Sequence, residues 1–215
     1  MLDIPTSSSM LFAGISQDEA KLMLPCLGAT RRVFSREERI MRAGQPTEYL
    51  GVVLSGRVRI EVSDAWGETT ILEMLGPGSL FAHGYACSME PLDIDVLADT
   101  ACEVVLKAER IIHSCPKQCG CHAHISSNLM RALALSNLDM NHRAIAMTPK
   151  TIRGKILAFL SQQQKKAGTR AFTIPYSQTK LASYLSVDRS ALSNELSKLR
   201  KEGVIDYEGH TYRLL

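Results

Sequence analysis

The chain has 215 residues, 45% of them hydrophobic, with 25 Lys and Arg against 22 Asp and Glu, which is enough apolar material for two modest cores. No apolar run approaches the roughly 18–20 residues of a membrane span. The opening MLDIPTSSSM lacks the basic stretch and apolar core of a secretory signal, so a cytoplasmic protein with no membrane partner is expected. Charge is uneven: residues 149–215 hold 12 Lys and Arg and 5 Asp and Glu, leaving 13 and 17 for the remainder. A basic C-terminal part beside an acidic one suits a nucleic-acid-binding unit joined to a separate sensor.

Gln17 to Leu27 reads as a short helix, with Ala20, Leu22 and Leu24 among its apolar positions. From Arg31 to Lys107 the chain turns into short β-rich runs punctuated by glycine. Leu50–Leu54, Val58–Val62, Thr69–Leu75, Leu92–Val96 and Ala101–Leu106 are the expected strands. Regular short strands between turn signals predict a small antiparallel barrel.

The next stretch runs His113-Ser-Cys115-Pro-Lys-Gln-Cys119-Gly-Cys121-His122-Ala-His124. Three of the six cysteines fall within seven residues, which does not suit a disulfide framework. Cys115, Cys119, Cys121 and His122 are candidate metal ligands by donor type. Their spacing fits no standard zinc module, and no CxxC pair is present. Free thiols, a metal or cluster site, and a redox switch are the three readings, and no metal site is assigned.

His124 to Met147 is a long helix without Gly or Pro. Its middle, Leu129-Met130-Arg131-Ala132-Leu133-Ala134-Leu135, is apolar almost all round, which calls for burial on two sides. One side would face its own domain and the other a partner; a single core helix is the alternative. Thr148-Pro149-Lys150 breaks the helix. A further amphipathic helix follows from Thr151 to Gln164, with Ile152, Ile156, Phe159 and Leu160 on its buried side. Phe172-Thr173-Ile174-Pro175 is a short strand.

The most informative stretch is SQTKLASYLSVDRSALSNELSKLRKEG, from Ser177 to Gly203. Ser177 is placed to cap a helix from Gln178 to Leu185, and Asp188 to cap a second from Arg189 to Lys201, ended by Gly203. Leu192, Leu196 and Leu199 form one apolar stripe. Arg189, Ser190, Ser193, Asn194 and Ser197 are polar positions toward the N-terminal end, the end that enters the major groove in helix-turn-helix proteins. Arg suits guanine, Asn suits adenine, and Ser suits several base edges. Lys180, Lys198, Arg200 and Lys201 suit phosphates. The plainer alternative is a helical hairpin with a solvated face. Val204–Tyr207 and Thr211–Leu214 then read as two strands around Glu208-Gly209-His210, completing a winged helix.

On LASYLSVDRSALSNELSKLRKEGVI the chain resembles the Crp/Fnr family of bacterial transcription regulators. Upstream, Ala43-Gly44-Gln45, Leu50 to Gly56 and Gly76-Pro77-Gly78-Ser79-Leu80-Phe81 resemble the family's cyclic-nucleotide-binding-type β-roll, and Thr100 to Val104 its closing strand. The resemblance implies an α+β chain in three parts. These are a β-roll sensor (residues 1–112), a cysteine-rich segment with a dimerisation helix (113–147) and a winged helix-turn-helix (148–215). It also implies a homodimer through parallel long helices, double-stranded DNA and RNA polymerase as partners, and a small-molecule effector.

The effector pocket would involve Gly78, Ser79, Leu80, His83, Leu92 and Asp93. In members that bind cyclic AMP, a Glu holds the ribose and an Arg-Ser pair the phosphate. Here His83 stands at the first position and Leu92-Asp93 at the others, so the phosphate meets no cation and an anion instead. Cyclic AMP is therefore not expected, and the cofactor is unknown; His83 is also a candidate haem ligand. The N-terminal cysteine cluster of the iron–sulfur members is missing. In the reading helix, Ser190 and Asn194 replace the family's common Glu and Arg, which implies a different half-site. Base contacts are expected from Arg189, Ser190, Ser193 and Asn194, and phosphate anchoring from Gln178, Thr179 and Lys198. No nucleophile–base pair, HExxH, phosphate loop or dinucleotide fingerprint points to an enzyme, and a cyclic-nucleotide-type regulatory subunit of an enzyme, the remaining alternative, would carry such a roll without a winged helix.

Overall fold

A computed structural model describes residues 9–106, 111, 120–174 and 176–215, with backbone only at 105, 106, 120 and 121. Contacts divide the chain into two units, Met1–Ala134 and Leu135–Leu215. The boundary falls inside the long helix Gly120–Met147. Ile125 and Leu129 belong to the core of the first unit and Ala146 to that of the second. The division expected from the sequence followed element ends instead, at 112/113 and 147/148. Among the described residues no helix is long and apolar enough to cross a membrane.

The described part of the first unit begins with a 3-10 turn, Met10–Phe12, and helix α1, Gln17–Met23. Ser16 and Glu19 form a reciprocal capping box at its start. The helix stops short of Leu27, because Pro25 has no N–H to continue it. Leu22 points outward and is 77% exposed, while Ala20 and Leu24 are buried.

Strands β1 (Thr30–Phe34), β2 (Arg39–Met41), β3 (Gly51–Ser55), β4 (Val58–Ser63), β5 (Thr69–Leu75) and β6 (Leu80–Phe81) follow, then helix α2 (His83–Ser88) and strands β7 (Asp95–Ala98) and β8 (Cys102–Leu106). They form two antiparallel sheets, ordered β1-β8-β3-β6 and β2-β7-β4-β5. Phe34, Val53, Phe81 and Val104 from one sheet meet Val58, Leu75, Val96 and Ala98 from the other in a shared core. The opposite face of β3 is also covered. Leu50 and Val52 pack with Leu11, Phe12, Leu24, Ile125 and Leu129 in a helical layer. Burial on both faces explains why Leu50 to Leu54 is an unbroken apolar run rather than an alternating one.

The strand expected at Leu92–Val96 starts at Asp95. Leu92 instead pairs with a turn: its N–H donates to the Gln45 carbonyl at 3.0 Å, and its own carbonyl accepts from the Gly44 N–H at 2.7 Å.

Gly51 lies opposite Phe81 in the ladder, and a Cβ built on it would fall 1.9 Å from the Phe81 ring. The ring fills the space a side chain would need. Gly51→Ala is expected to cost about 1–3 kcal/mol through overpacking, measured by urea unfolding followed at a probe in the first unit.

In the second unit the helix Gly120–Met147 (α3) ends at Met147, and α4 (Ile152–Ala167) starts on a Thr151 cap and ends at Gly168. Then come β9 (Ala171–Thr173), α5 (Gln178–Tyr184), α6 (Arg189–Lys201), β10 (Ile205–Glu208) and β11 (Thr211–Leu214). The three strands form a sheet ordered β10-β11-β9. Ile156, Phe159 and Leu160 of α4, Leu181 of α5 and Leu192, Leu196 and Leu199 of α6 are buried together. Both caps expected from the sequence are present: Ser177 accepts from the Lys180 N–H and Asp188 from the Ala191 N–H.

The turn between α5 and α6 passes through Ser186 at φ 49°, a left-handed conformation. A non-glycine residue there costs roughly 1–2 kcal/mol. Ser186 is exposed. Ser186→Gly is therefore expected to stabilise the second unit, by about 1 kcal/mol after the added unfolded-state freedom of glycine. Thermal unfolding checks this; an unchanged or lowered midpoint would contradict it.

Candidate nucleic-acid interface

Two helices meeting across a short turn, followed by a β-hairpin, set the outer face of α6. Leu192, Leu196 and Leu199 are fully buried, spaced four and three apart, so the far side of the helix is open. Ser190, Asn194, Ser197 and Lys198 are exposed on it, and Ser193 is half-buried. Arg189, the first helical residue, is exposed too. Arg189 and Asn194 make no side-chain hydrogen bond or ion pair with the described residues, so both are free to bind outward.

The other candidates are engaged to different degrees. The Ser190 hydroxyl donates to Asp188 Oδ1 at 2.5 Å, which leaves it as an acceptor toward a base. That bond, with the one from the Ala191 N–H, holds the Asp188 carboxyl below the ordinary aspartate range. The cap is complete above that range and is lost as pH falls through the lowered value. Lys198, itself exposed, lies 3.7 Å from the half-buried Glu195, which also lies 3.8 Å from Arg153 and keeps that partner when Lys198 turns to a phosphate. Gln178 and Thr179 open α5, half-buried and exposed respectively.

Arg200, expected among the phosphate contacts, has another role. It lies 2.9 Å from Asp206 and over the Tyr207 ring, 5.3 Å from its centroid. Tyr207 in turn stacks on Tyr212. Arg200 therefore braces the reading helix against the hairpin. Lys180 and Lys201 make no ion pair among the described residues.

Two supports were not visible in the sequence. Arg143 Nε donates to the Tyr184 carbonyl at 3.1 Å, and Lys155 Nζ to the Leu185 carbonyl at 3.2 Å. Cations at the C-terminal end of α5 satisfy carbonyls that no helical N–H reaches. Basic residues at two distant positions gave no local signal of this.

The pocket candidates of the first unit lie in β6, at the start of α2 and in the turns before β6 and β7. Gly78 donates its N–H to the Val53 carbonyl at 2.8 Å, and Ser79 donates to Gly76 at 3.1 Å, so these donors are already used within the roll. Leu80 pairs with Val52. His83 opens α2, and burial holds its imidazole below the ordinary histidine range. Leu92 is core. Asp93 accepts from the Tyr85 hydroxyl, and burial first, then that bond, pushes the phenol up to about 12.

Cys115 and Cys119 lie outside the described residues. Cys121 is placed in α3 by backbone only, and His122 is half-buried on it. Among the described residues no group of three or more His, Cys, Asp or Glu converges on a metal position.

Residues 31–111 match the family model described as cyclic nucleotide-binding domain, and residues 154–215 that described as Crp-like helix-turn-helix domain. No curated protein matches the chain in sequence. Solved structures are similar in fold. CprK complexed with OCPA has 16% identity and a TM-score of 0.62, with 90% of each chain covered. The c-di-GMP-responsive global regulator CLP of Xanthomonas campestris has 20% identity and a TM-score of 0.55, covering 91% of this chain and 98% of that one. The catabolite activator protein of Thermus thermophilus has 22% identity and a TM-score of 0.51, covering 96% and 94%.

Proposed function

Because the chain belongs to the Crp/Fnr family, as a non-enzymatic DNA-binding transcription regulator with a sensory domain of cyclic-nucleotide-binding type, we propose that it works as a homodimer reading an inverted-repeat operator. The observation that carries this is the exposed N-terminal end and outer face of α6, where Arg189 and Asn194 respectively stand without side-chain partners among the described residues. Two such helices about a two-fold axis would enter successive major grooves about 34 Å apart. Arg189, Ser190, Ser193 and Asn194 read bases, while Gln178, Thr179 and Lys198 anchor phosphates. Selection of bound sequences from random DNA tests this. An inverted repeat with half-sites one helical turn apart is expected; a single, asymmetric site would overturn it.

The dimer is formed by α3. Met130, Ala134, Leu138 and Ile145 fall within about 80° of one another on the helix. All four are exposed, with Asn137 and Asn141 between them. Ile125, Leu129 and Ala132 are buried on the other side. The sequence calls for burial on two sides, and this exposed stripe is the side that a partner helix would cover.

Asp93 stands bonded to Tyr85 where a phosphate would need a cation, which argues for an effector other than cyclic AMP. A metal, haem or thiol redox input through His83 or the Cys115–His122 segment is the second reading. It is favoured by the proximity in sequence of that segment to α3. Metal content and the visible spectrum of protein purified without oxygen decide between them. Stoichiometric iron or zinc, or a haem band, assigns the input to these residues; a colourless, metal-free protein leaves free thiols or a small molecule as the input. The protein acts in the cytoplasm with RNA polymerase as its further partner.

A further inference from the structure

The first unit holds a cleft of about 360 Å³ between β1, β2 and the loop after β2. Two arginines line it, Arg32 on β1 and Arg42 beyond the end of β2, and no Asp or Glu does. That is unusual in this domain. Arg31, Arg36, Arg39, Arg57 and Arg59 each lie within 4.0 Å of a carboxylate: Glu103, Glu37, Asp95, Asp99 and Glu37 respectively. Arg32 and Arg42 have no such partner among the described residues. Carboxylates outnumber cations in this part of the sequence. Even so, the two arginines left without one share a single cavity.

Two like charges in one cleft repel each other until an anion stands between them. A guanidinium presents paired N–H donors that match a carboxylate or phosphate. The rest of the lining is apolar or neutral. Ile40, Met41 and Leu92 are half-buried or buried and form an apolar wall, and Tyr49 offers a ring that is 41% exposed.

The frame around the cleft is fixed. The buried Thr47 hydroxyl accepts from the Tyr49 N–H at 3.0 Å and donates to the Tyr49 carbonyl at 3.1 Å. The paired bonds between Leu92 and the Gly44-Gln45 turn hold the loop after β2 in place. A preformed cleft with a few convergent polar groups over an apolar wall is the usual form of a small-ligand site, and this volume is near the lower end of that range.

We infer that this cleft binds a small organic anion, a carboxylate or phosphate ester with an apolar body, held by Arg32 and Arg42 with its body against Ile40, Met41 and Tyr49. Only Leu92 is shared with the pocket expected from the sequence. The inference concerns binding to the free protein, so it stands or falls separately from the operator reading.

The test is calorimetric titration of the full chain, without DNA, with phenyl phosphate, phenylacetate and inorganic phosphate as probes. Arg32→Gln and Arg42→Gln are the cleft variants, and Arg36→Gln is the control outside it. Expected is saturable one-to-one binding of a phenyl-bearing probe, stronger than that of inorganic phosphate. Either cleft substitution should weaken it about tenfold or more, and the control should not. Both arginines are exposed, so the variants are expected to keep the wild-type melting temperature. The relative affinity of the ester and the acid tells phosphate from carboxylate. Absence of saturable binding by all three probes at millimolar concentration would overturn the inference, as would binding that survives both substitutions. Variants that bind the probes normally but lose association with RNA polymerase would also overturn it, making the arginines a protein-docking surface.

Discussion

Arg189→Ala is expected to erase the preference for operator over random DNA while leaving weak, salt-sensitive association. Arg189 is exposed, stands first in α6 and has no ion pair among the described residues, so nothing inside the protein competes for its guanidinium. A bidentate arginine–guanine contact discriminates by about 1–3 kcal/mol, and a dimer would lose two of them, about 2–6 kcal/mol together. Random DNA is held by phosphate contacts alone, which the substitution does not touch. Gel shifts at two salt concentrations separate these terms. Operator binding should fall to the level of random DNA, and the salt dependence should persist. An equal loss on both DNAs would mean that Arg189 serves as a phosphate contact and that the base reader lies elsewhere. Lys198→Ala is the matching control. It should weaken both DNAs alike and reduce the salt slope by about one per chain. The Glu195 pairing does not interfere, since Glu195 keeps Arg153 at 3.8 Å when Lys198 is removed.

The helix-turn-helix could be located residue by residue in the sequence because its signals are local. Ser177 and Asp188 cap helices that begin one residue later, and the Leu192, Leu196, Leu199 spacing marks one face whatever lies opposite. The roll was less legible. β1 and β2 read TRRVF and RIM, too polar to separate as strands before their partners β8 and β7 are known. Leu92 looked like the start of a strand because its apolar character cannot say that it bonds to a turn 47 or 48 residues earlier in the chain. The same limit hid the Arg200 brace, the Arg143 and Lys155 caps and the arginine cleft. Each depends on which charges find a partner across the fold, and one-dimensional charge counts do not contain that. An arginine 2.9 Å from an aspartate and an arginine facing an open cleft are the same letter.

The dimer makes the second large prediction. Leu138→Asp, alone or with Ile145→Asp, is expected to give monomers and to remove most operator affinity. Leu138 and Ile145 are 50% and 56% exposed and lie two turns apart on one face of α3, so each can meet its two-fold counterpart. Covering such a side chain contributes about 1.5–3 kcal/mol, and the contribution is counted twice across a symmetric interface. An aspartate there replaces it with a carboxylate that must lose its water opposite another of the same sign. Once separated, two reading heads no longer share one binding event, and the gain in effective concentration is lost, a factor of about 10²–10⁴. Met140→Asp is the control. Met140 is 67% exposed, and it points about 160° away from Leu138 around the same helix. Sedimentation equilibrium reads the assembly state and gel shifts the affinity. Monomers from Leu138→Asp beside dimers from Met140→Asp assign the interface to the Met130–Ile145 stripe. Dimers that persist with both Leu138 and Ile145 replaced would place the interface on another surface. The paired reading heads would then need a different spacing on DNA from the one proposed.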